Sequence, residues 1–118
     1  MSSEYIRGRR FEYRVKRLLE KHGYRVVRAA SSKGPADLVA FRKVELLLVQ
    51  CKIGDWHTRE DWNELVAIAR ETGAVPIFAQ AKNRKTNLWI MERKTGKRRR
   101  NVLRRAYPLA PRDSNRLD

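Results

Sequence analysis

Apolar residues recur at helical spacing in two segments of the chain. The first segment predicts a helix over about 3–22, which Gly23 ends. The second predicts a helix over about 58–72, opened by a cap at Thr58 and ended by Gly73. The apolar stripes are Phe11, Val15, Leu18 and Leu19 in the first helix and Trp62, Leu65, Val66 and Ala69 in the second.

Five shorter stretches predict strands between and after these helices. They cover residues 24–30, 37–41, 45–52, 75–81 and 88–93. The third stretch contains four consecutive apolar residues, which is typical of a central strand buried on both faces. The intervening segment 31–35 is rich in breakers and predicts a loop. The predicted order is therefore helix, three strands, helix and two strands.

Composition and charge narrow the classes of partner. The chain has 118 residues, 42% of them hydrophobic, which suits one domain with a real core. The 28 Lys and Arg outnumber the 13 Asp and Glu, giving a net charge of +15. This excess favours a polyanionic partner, either nucleic acid or an anionic membrane surface. The membrane surface is disfavoured because the sequence shows no Lys-rich helix with a broad apolar face.

The sequence also carries signals about compartment. A single cysteine excludes an intramolecular disulfide and a Cys-rich zinc site. The apolar run 46–49 is too short to span a bilayer, and the first residues lack the layout of a signal peptide. We therefore expect a cytoplasmic protein without a membrane partner.

Positive charge concentrates near the end of the chain. Residues 93–105 contain eight basic residues and no acidic one. From Pro108 onward the composition predicts an extended or frayed end. We therefore expect a folded domain over residues 1–93 and a basic, partly flexible extension over residues 94–118.

Four polar side chains occupy unusual positions in this pattern. Glu12 lies at the edge of the first apolar stripe, and Asp37 opens a strand. Gln50 and Lys52 lie two residues apart at the end of the central strand, so they point to one face. Taken singly, each has an ordinary interpretation, such as a Glu12–Lys16 pair on the helix surface or a strand emerging into solvent.

Together these side chains suit phosphodiester hydrolysis. A divalent metal polarises the phosphoryl group and generates hydroxide, and Mg²⁺ prefers oxygen ligands. Glu12, Asp37, the Gln50 amide oxygen and the Cys51 main-chain carbonyl are candidate ligands. Lys52 is a candidate to orient the attacking water or to offset charge in the transition state.

Longer motifs in the same region resemble a known family. The sequence contains Gly-x-x-x-Glu at 8–12, the strand that carries Arg28, Ser-Lys-Gly-Pro-Ala-Asp at 32–37 and Gln-Cys-Lys at 50–52. These motifs resemble the PD-(D/E)xK nucleases, specifically the archaeal-type Holliday junction resolvases that also occur in viruses. The resemblance covers roughly two-thirds of the chain, is weaker between residue 52 and about residue 78, and has no specific match beyond it.

The resemblance implies a fold, an activity and a set of site residues. It implies a nuclease domain with a compact restriction-endonuclease-like α/β core, in which helices flank a central mixed sheet. It also implies a homodimeric Holliday junction resolvase that uses Mg²⁺, with Mn²⁺ as a possible substitute, and cuts four-way junction DNA by paired nicks. The implied catalytic residues are Glu12, Ser32, Asp37, Gln50 and Lys52, and the implied DNA-binding residues are Arg7, Arg9, Arg10, Arg28, Ser32 and Lys33.

Gln50 is a departure from the family, which usually has Glu at this position. Related PD-(D/E)xK branches use Gln, and the change removes one negative charge beside the metal. Two interpretations follow: weaker metal affinity, or an engineered inactive form. The competing functions are accordingly a non-catalytic junction-binding or DNA-binding protein and a nuclease of the same superfamily that acts on other branched DNA.

The second helix is a candidate for the contact between subunits. Acidic residues surround its apolar stripe and make this region unsuited to DNA. We therefore expect Trp62, Leu65, Val66 and Ala69 to form the dimer interface, because two coordinated nicks need two active sites at a fixed separation.

Overall fold

The structure, a computed structural model, describes residues 3–29, 34–54, 59–92 and 104–109. These ranges contain two helices and six strands. In chain order the elements are α1 (Ser3–Lys21), β1 (Arg25–Arg28), β2 (Leu38–Arg42), β3 (Glu45–Ile53), α2 (Arg59–Thr72), β4 (Val75–Lys82), β5 (Lys85–Met91) and β6 (Arg104–Ala106).

The strands form one mixed sheet in the order β1-β2-β3-β4-β5-β6. β3 and β4 pair in parallel, and every other neighbouring pair is antiparallel. A parallel pair needs a crossover connection, and α2 is the helix between these two strands. The predicted α/β fold with a central mixed sheet is confirmed.

The two helices cover opposite faces of the sheet. Side chains from β3 alternate between the faces: Leu47 and Val49 pack with α1, whereas Leu48 packs with α2. All three are buried, as predicted for a strand covered on both sides. Burying apolar surface in this way stabilises the fold by roughly 25 cal/mol for each Å² removed from water.

The apolar stripe of α2 is part of this core and requires a correction. Its side chains are at most 1% exposed and pack against Leu48, Phe78 and Met91 of the same chain. They are therefore not available to a second subunit, and the stripe reflects the packing of a helix on its own sheet. The residues concerned are Trp62, Leu65, Val66 and Ala69.

Glycines end both helices as predicted. Gly23 has φ 93° and Gly73 has φ 74°, values that residues with a Cβ rarely adopt. The amide of Tyr24 donates to the carbonyl of Leu19 over 3.1 Å, which closes the last turn of α1. The predicted cap at Thr58 lies outside the described residues. None of the described helices is long and apolar enough to cross a membrane.

The C-terminal part of the sheet differs from the prediction. β5 begins at Lys85, because a two-residue turn at Asn83 and Arg84, with φ of 54° and 61°, joins it directly to β4. β6 lies beyond the predicted boundary at residue 93 and pairs with β5. Residues 104–109 thus belong to the sheet domain rather than to a separate extension, and the rest of the predicted extension lies outside the described residues.

A cluster of polar side chains connects Tyr107, which follows β6, to residues between the end of α1 and the start of β3. The hydroxyl of Tyr24 donates to Glu45 and lies 2.7 Å from the hydroxyl of Tyr107. Arg42 donates to both carboxylate oxygens of Glu45 at 3.0 Å, and its guanidinium lies 4.3 Å from the centroid of the Tyr24 ring. Arg42 also donates to the carbonyl of His22 over 2.6 Å. The Glu45 carboxylate is the acceptor that these groups share.

We expect Glu45→Ala to lower the free energy of unfolding by about 2 kcal/mol, because it leaves partly buried donors of Tyr24 and Arg42 unpaired. The matched control is Glu20→Ala, which removes an exposed pair with Lys16 at 3.5 Å and should change stability by less than about 0.5 kcal/mol. Urea denaturation measures both. Equal effects would show that the cluster contributes no more than a surface ion pair.

Candidate active site

Asp37 lies where β2 meets the end of β3. Its amide donates to the carbonyl of Val49 over 2.7 Å, and its carbonyl accepts from the amide of Ala29 over 2.9 Å. Its side chain continues this ladder, because carboxylate oxygen Oδ2 accepts from the amide of Cys51 over 2.7 Å. The carboxylate is thereby held against the backbone of β3 through Oδ2.

The surroundings of Asp37 oppose its ionisation. Burial raises the pKa of this carboxyl to about 6, from an ordinary value of 3.8, and the nearby charge of Glu12 adds to the rise. The Cys51 amide and the positive charges of Lys52 and Arg28 lower the pKa and offset part of the effect. A bound cation would favour the ionised form and lower this pKa, so the site is suited to a positively charged ligand.

Glu12 projects from α1 toward the same place. Its Oε1 accepts from Arg28 Nε over 3.0 Å, and both side chains are partly buried. The expected surface pair with Lys16 does not form, because Lys16 pairs with Glu20 at 3.5 Å. Arg28, predicted to bind DNA, thus holds the Glu12 carboxylate in the protein without DNA.

The other predicted site residues are Gln50, Cys51 and Lys52, which follow one another in β3. Cys51 packs on the α1 side of the sheet as a core residue, and burial raises the pKa of its thiol well above the ordinary value. The charge of Lys52 acts on both Asp37 and Cys51. Gln50 alternates with Cys51, faces the α2 side and is only 2% exposed. Its Oε1 is buried without a hydrogen-bond partner among the described residues.

These groups fit a divalent cation that prefers oxygen. The described residues contain no cluster of three or more His, Cys, Asp or Glu side chains that could hold a metal ion, so at most two carboxylates at this place can share one ion. Two carboxylates, at Asp37 and Glu12, line one cavity and are hard oxygen donors. The amide oxygen of Gln50, which has no partner among the described residues, is also a hard donor, but Gln50 faces the α2 side of the sheet and does not line that cavity. A buried polar atom without a partner is uncommon and is consistent with a ligand that supplies one.

A cavity of about 320 Å³ opens beside the two carboxylates. A Cβ added at Gly8 would meet no atom within 4 Å in the part of the chain that the structure describes, so packing there does not require this glycine. Of the arginines predicted to bind DNA, Arg9 and Arg28 line this cavity, whereas Arg7 is exposed and does not. The cavity is lined by Glu4, Tyr5, Gly8, Arg9, Glu12, Arg28, Ala29 and Asp37. The predicted residues Ser32 and Lys33 lie outside the described residues.

A second, larger groove on α1 was not predicted. It measures about 820 Å³ and shares Tyr5 and Arg9 with the carboxylate cavity. Arg10, predicted to bind DNA, lines this groove. The sequence contained a pattern that could have predicted this groove. Aromatic and arginine residues alternate every four residues on the side of α1 opposite its apolar stripe.

The chain is similar to known proteins in sequence and in fold. A curated relative, the crossover junction endodeoxyribonuclease Hjc of Methanocaldococcus jannaschii, is 40% identical over 83 residues. The matched region covers 67% of this chain and 62% of the length of that relative. The structure of Archaeoglobus fulgidus Hjc, a Holliday junction resolvase from an archaeal hyperthermophile, superposes with a TM-score of 0.67 at 24% identity. That match covers 86% of this chain and 90% of the other and shows that the fold is shared.

The family model for the archaeal Holliday junction resolvase (Hjc) matches residues 3–106. This range includes α1, all six strands and every described residue of the candidate site. The chain therefore belongs to the archaeal Holliday junction resolvase family.

Proposed function

We propose that the protein is a metal-dependent endodeoxyribonuclease that resolves four-way DNA junctions by paired nicks. The observation that carries the proposal is the Asp37 carboxylate, held by the Cys51 amide with the charges of Lys52 and Glu12 beside it. Resolvases of this family depend on a metal ion, and the net charge of +15 suits a DNA substrate. Because its substrate is DNA, we place the protein in the cytoplasm.

Mg²⁺ is the proposed cofactor, with Mn²⁺ as a substitute. Asp37, Glu12, the Gln50 amide oxygen and the Cys51 carbonyl would hold it, together with a phosphate oxygen of the substrate. When bound, the ion polarises the scissile phosphate and lowers the pKa of a water molecule. With Gln50 in place of a carboxylate, the free protein holds less negative charge, so the substrate phosphate contributes strongly to metal binding.

The remaining side chains position these groups. Lys52 stands close enough to lower the pKa of Asp37, so its ammonium can offset negative charge that develops on the phosphate. Arg28 fixes the Glu12 carboxylate at 3.0 Å and partly neutralises it in the protein without metal. When metal and DNA enter, this guanidinium can turn to a phosphate, which suits the predicted role of Arg28 in DNA binding. Arg9 and Arg10 support the same backbone contacts.

A homodimer is proposed because two nicks need two sites. The α2 stripe is buried in the core, but α2 lies over β4 and leaves the β1–β2 end of this sheet face open. There Val27 is 55% exposed and Phe41 is 43% exposed. Neighbouring apolar side chains on an open sheet face suit a contact with a second copy. The predicted interface thus moves from the α2 stripe to the open face beside it.

We expect the wild-type protein with Mg²⁺ to cut a labelled four-way junction and to leave linear duplex of the same sequence uncut. Asp37→Asn should lower the cleavage rate by at least about 10³-fold and leave junction binding in EDTA nearly unchanged, because this carboxylate binds metal rather than DNA. Single-turnover cleavage and gel-shift titration measure the two effects. Tight junction binding without cleavage by the wild type would favour the non-catalytic binding protein, and equal cutting of duplex would favour another nuclease.

The Asp37→Asn variant should also have a higher free energy of unfolding than the wild type above pH 6. Because the folded-state pKa of Asp37 is raised from 3.8 to about 6, its neutral form contributes stability below about pH 4 that disappears as the pH rises through about 6. The decrease amounts to at most about 3 kcal/mol at 1.36 kcal/mol per pH unit. Asp37→Asn should therefore gain stability over the wild type at pH 8 and not at pH 4. Denaturation in EDTA at both values checks this, and a constant difference would contradict it.

Gln50→Glu should lower the Mg²⁺ concentration needed for half-maximal junction cleavage, because it adds a negative charge at the metal. In EDTA the variant should be less stable than the wild type, since the new carboxylate is buried and unpaired, and Mg²⁺ should restore stability. Gln80→Glu is the matched control. Gln80 is 1% exposed, but its Oε1 accepts from Trp89 Nε1 over 2.9 Å, so Mg²⁺ should not rescue that variant. Identical Mg²⁺ dependence of wild type and Gln50→Glu would remove Gln50 from the site.

Introducing charge on the open sheet face should separate the subunits. We expect Phe41→Glu combined with Val27→Glu to shift the protein from dimer to monomer in sedimentation velocity, because a dry contact would then bury carboxylates. Ile53→Glu is the control, since Ile53 is 42% exposed but extends from the end of β3 near the site. A wild type that sediments as a monomer at micromolar concentration would refute the dimer.

A further inference from the structure

The outer face of α1 carries two parallel rows of side chains at four-residue intervals. One row alternates aromatic rings with guanidinium groups: Tyr5, Arg9, Tyr13 and Arg17. Beside it runs a second row: Ile6, Arg10 and Arg14. Residues four apart lie above one another on a helix, so the rows form a continuous surface. Together these seven side chains line the groove of about 820 Å³ on α1.

This face is not needed for the core of the described domain. The opposite side of α1 packs Phe11, Val15 and Leu19 against the sheet, whereas Tyr5 is 48% exposed and Tyr13 is 49% exposed. Two half-exposed tyrosines on one open groove represent a large apolar surface left in water. Such a surface is typical of a binding site rather than of an ordinary solvated helix face.

The charge of the groove selects the kind of partner. Its lining contains four arginines and no acidic residue. Four guanidinium groups facing the same four on a second copy would repel one another, so this face is unsuited to self-association. Aromatic rings interleaved with arginines are instead the arrangement that binds nucleic acid strands, with bases on the rings and phosphates on the cations.

The groove leads directly into the candidate active site. Tyr5 and Arg9 belong to its lining and also to the lining of the cavity that holds Glu12 and Asp37. A strand whose phosphate reaches Asp37 would therefore continue along the outer face of α1. A DNA segment bound in the groove would therefore lie next to the phosphate that the protein would cut.

Cationic side chains lie beside both tyrosine rings, where they can bind the phosphates of a nucleic acid strand. Arg9 donates to the Tyr5 hydroxyl over 2.9 Å, and its guanidinium lies 5.8 Å from the centroid of that ring. Lys16 Nζ lies 5.9 Å from the centroid of the Tyr13 ring. Arg9 Nε is covered and has no acceptor among the described residues, so this guanidinium keeps an unpaired donor. A phosphate oxygen can pair with it when the side chain turns outward.

We propose that this groove binds the DNA strand next to the branch point and that Tyr5 and Tyr13 stack on a nucleobase exposed there. In continuous duplex, base pairs on both sides cover the flat faces of each base, so a protein ring has nothing to stack on. Where strands exchange at an opened junction, a base has one stacking neighbour fewer and its face becomes available. The rings therefore recognise branched DNA, while the arginines bind any DNA. This inference rests on the proposed function, since it names how that site selects its substrate.

Binding without cleavage tests the inference. A fluorescent four-way junction and a linear duplex of the same arm sequence are titrated with the full chain in EDTA, so that metal and catalysis play no part. We expect Tyr5→Ala with Tyr13→Ala to weaken junction binding at least about tenfold and to change duplex binding less than about twofold. Tyr5→Phe with Tyr13→Phe keeps both rings and should retain the junction affinity of the wild type.

Arginine variants supply the contrasting result. Arg10→Ala with Arg17→Ala should weaken junction and duplex binding by the same factor. The slope of log affinity against log salt should fall by about 2, because each phosphate that an arginine no longer neutralises reduces it by about 0.9. Circular dichroism confirms that each variant is folded, since all the substituted positions are on the outer face.

The outcomes separate this inference from the proposed function. If the wild type prefers the junction and the double alanine variant keeps the same preference, the inference is overturned and the proposed function stands. If the wild type shows no preference for the junction, both are overturned. A double alanine variant that changes from dimer to monomer in sedimentation would show that a second copy occupies the groove, and this too would overturn the inference.

Discussion

The candidate site depends on one hydrogen bond in which a side chain replaces the backbone. Where the ladder between β2 and β3 reaches Asp37, the Cys51 amide donates to the Asp37 carboxylate instead of to a carbonyl. This bond fixes an acidic group at the sheet although burial disfavours its charge. The positive charges of Lys52 and Arg28 reduce that cost without removing it. The carboxylate is therefore positioned before any ligand arrives, and a cation is the ligand that relieves the remaining cost.

Helix α1 serves three purposes through three different faces. Its inner face supplies Phe11, Val15 and Leu19 to the core, and its edge presents Glu12 to Asp37. Its outer face carries the tyrosines and arginines of the groove. Because one rigid helix holds all three sets, the spacing between the groove and the Glu12 carboxylate is set by helical geometry rather than by a loop. Gly8 lies on the same helix and leaves open space beside Glu12.

The sequence allowed much of the fold and the site to be predicted because local signals agree with tertiary packing. Strand alternation placed Cys51 in the core and Gln50 on the opposite face, and glycines marked both helix ends. The Glu12–Arg28 pair could not be predicted, because it joins elements whose relative placement depends on the whole sheet. The β4–β5 turn was missed because Asn83 and Arg84 adopt positive φ without a glycine. An apolar helical stripe likewise does not state whether its own sheet or a second chain covers it, which explains the correction on α2.

Both edges of the described sheet are formed by short strands that carry arginine. β1 has four residues, from Arg25 to Arg28, and β6 contains two arginines in its three residues. Short, positively charged edges are a known means by which proteins avoid pairing edge to edge with other copies. For this chain they disfavour aggregation by strand addition, even though the apolar face beside β2 remains open. Copies brought together at high concentration would therefore not readily extend one another's sheets by adding strands at these edges.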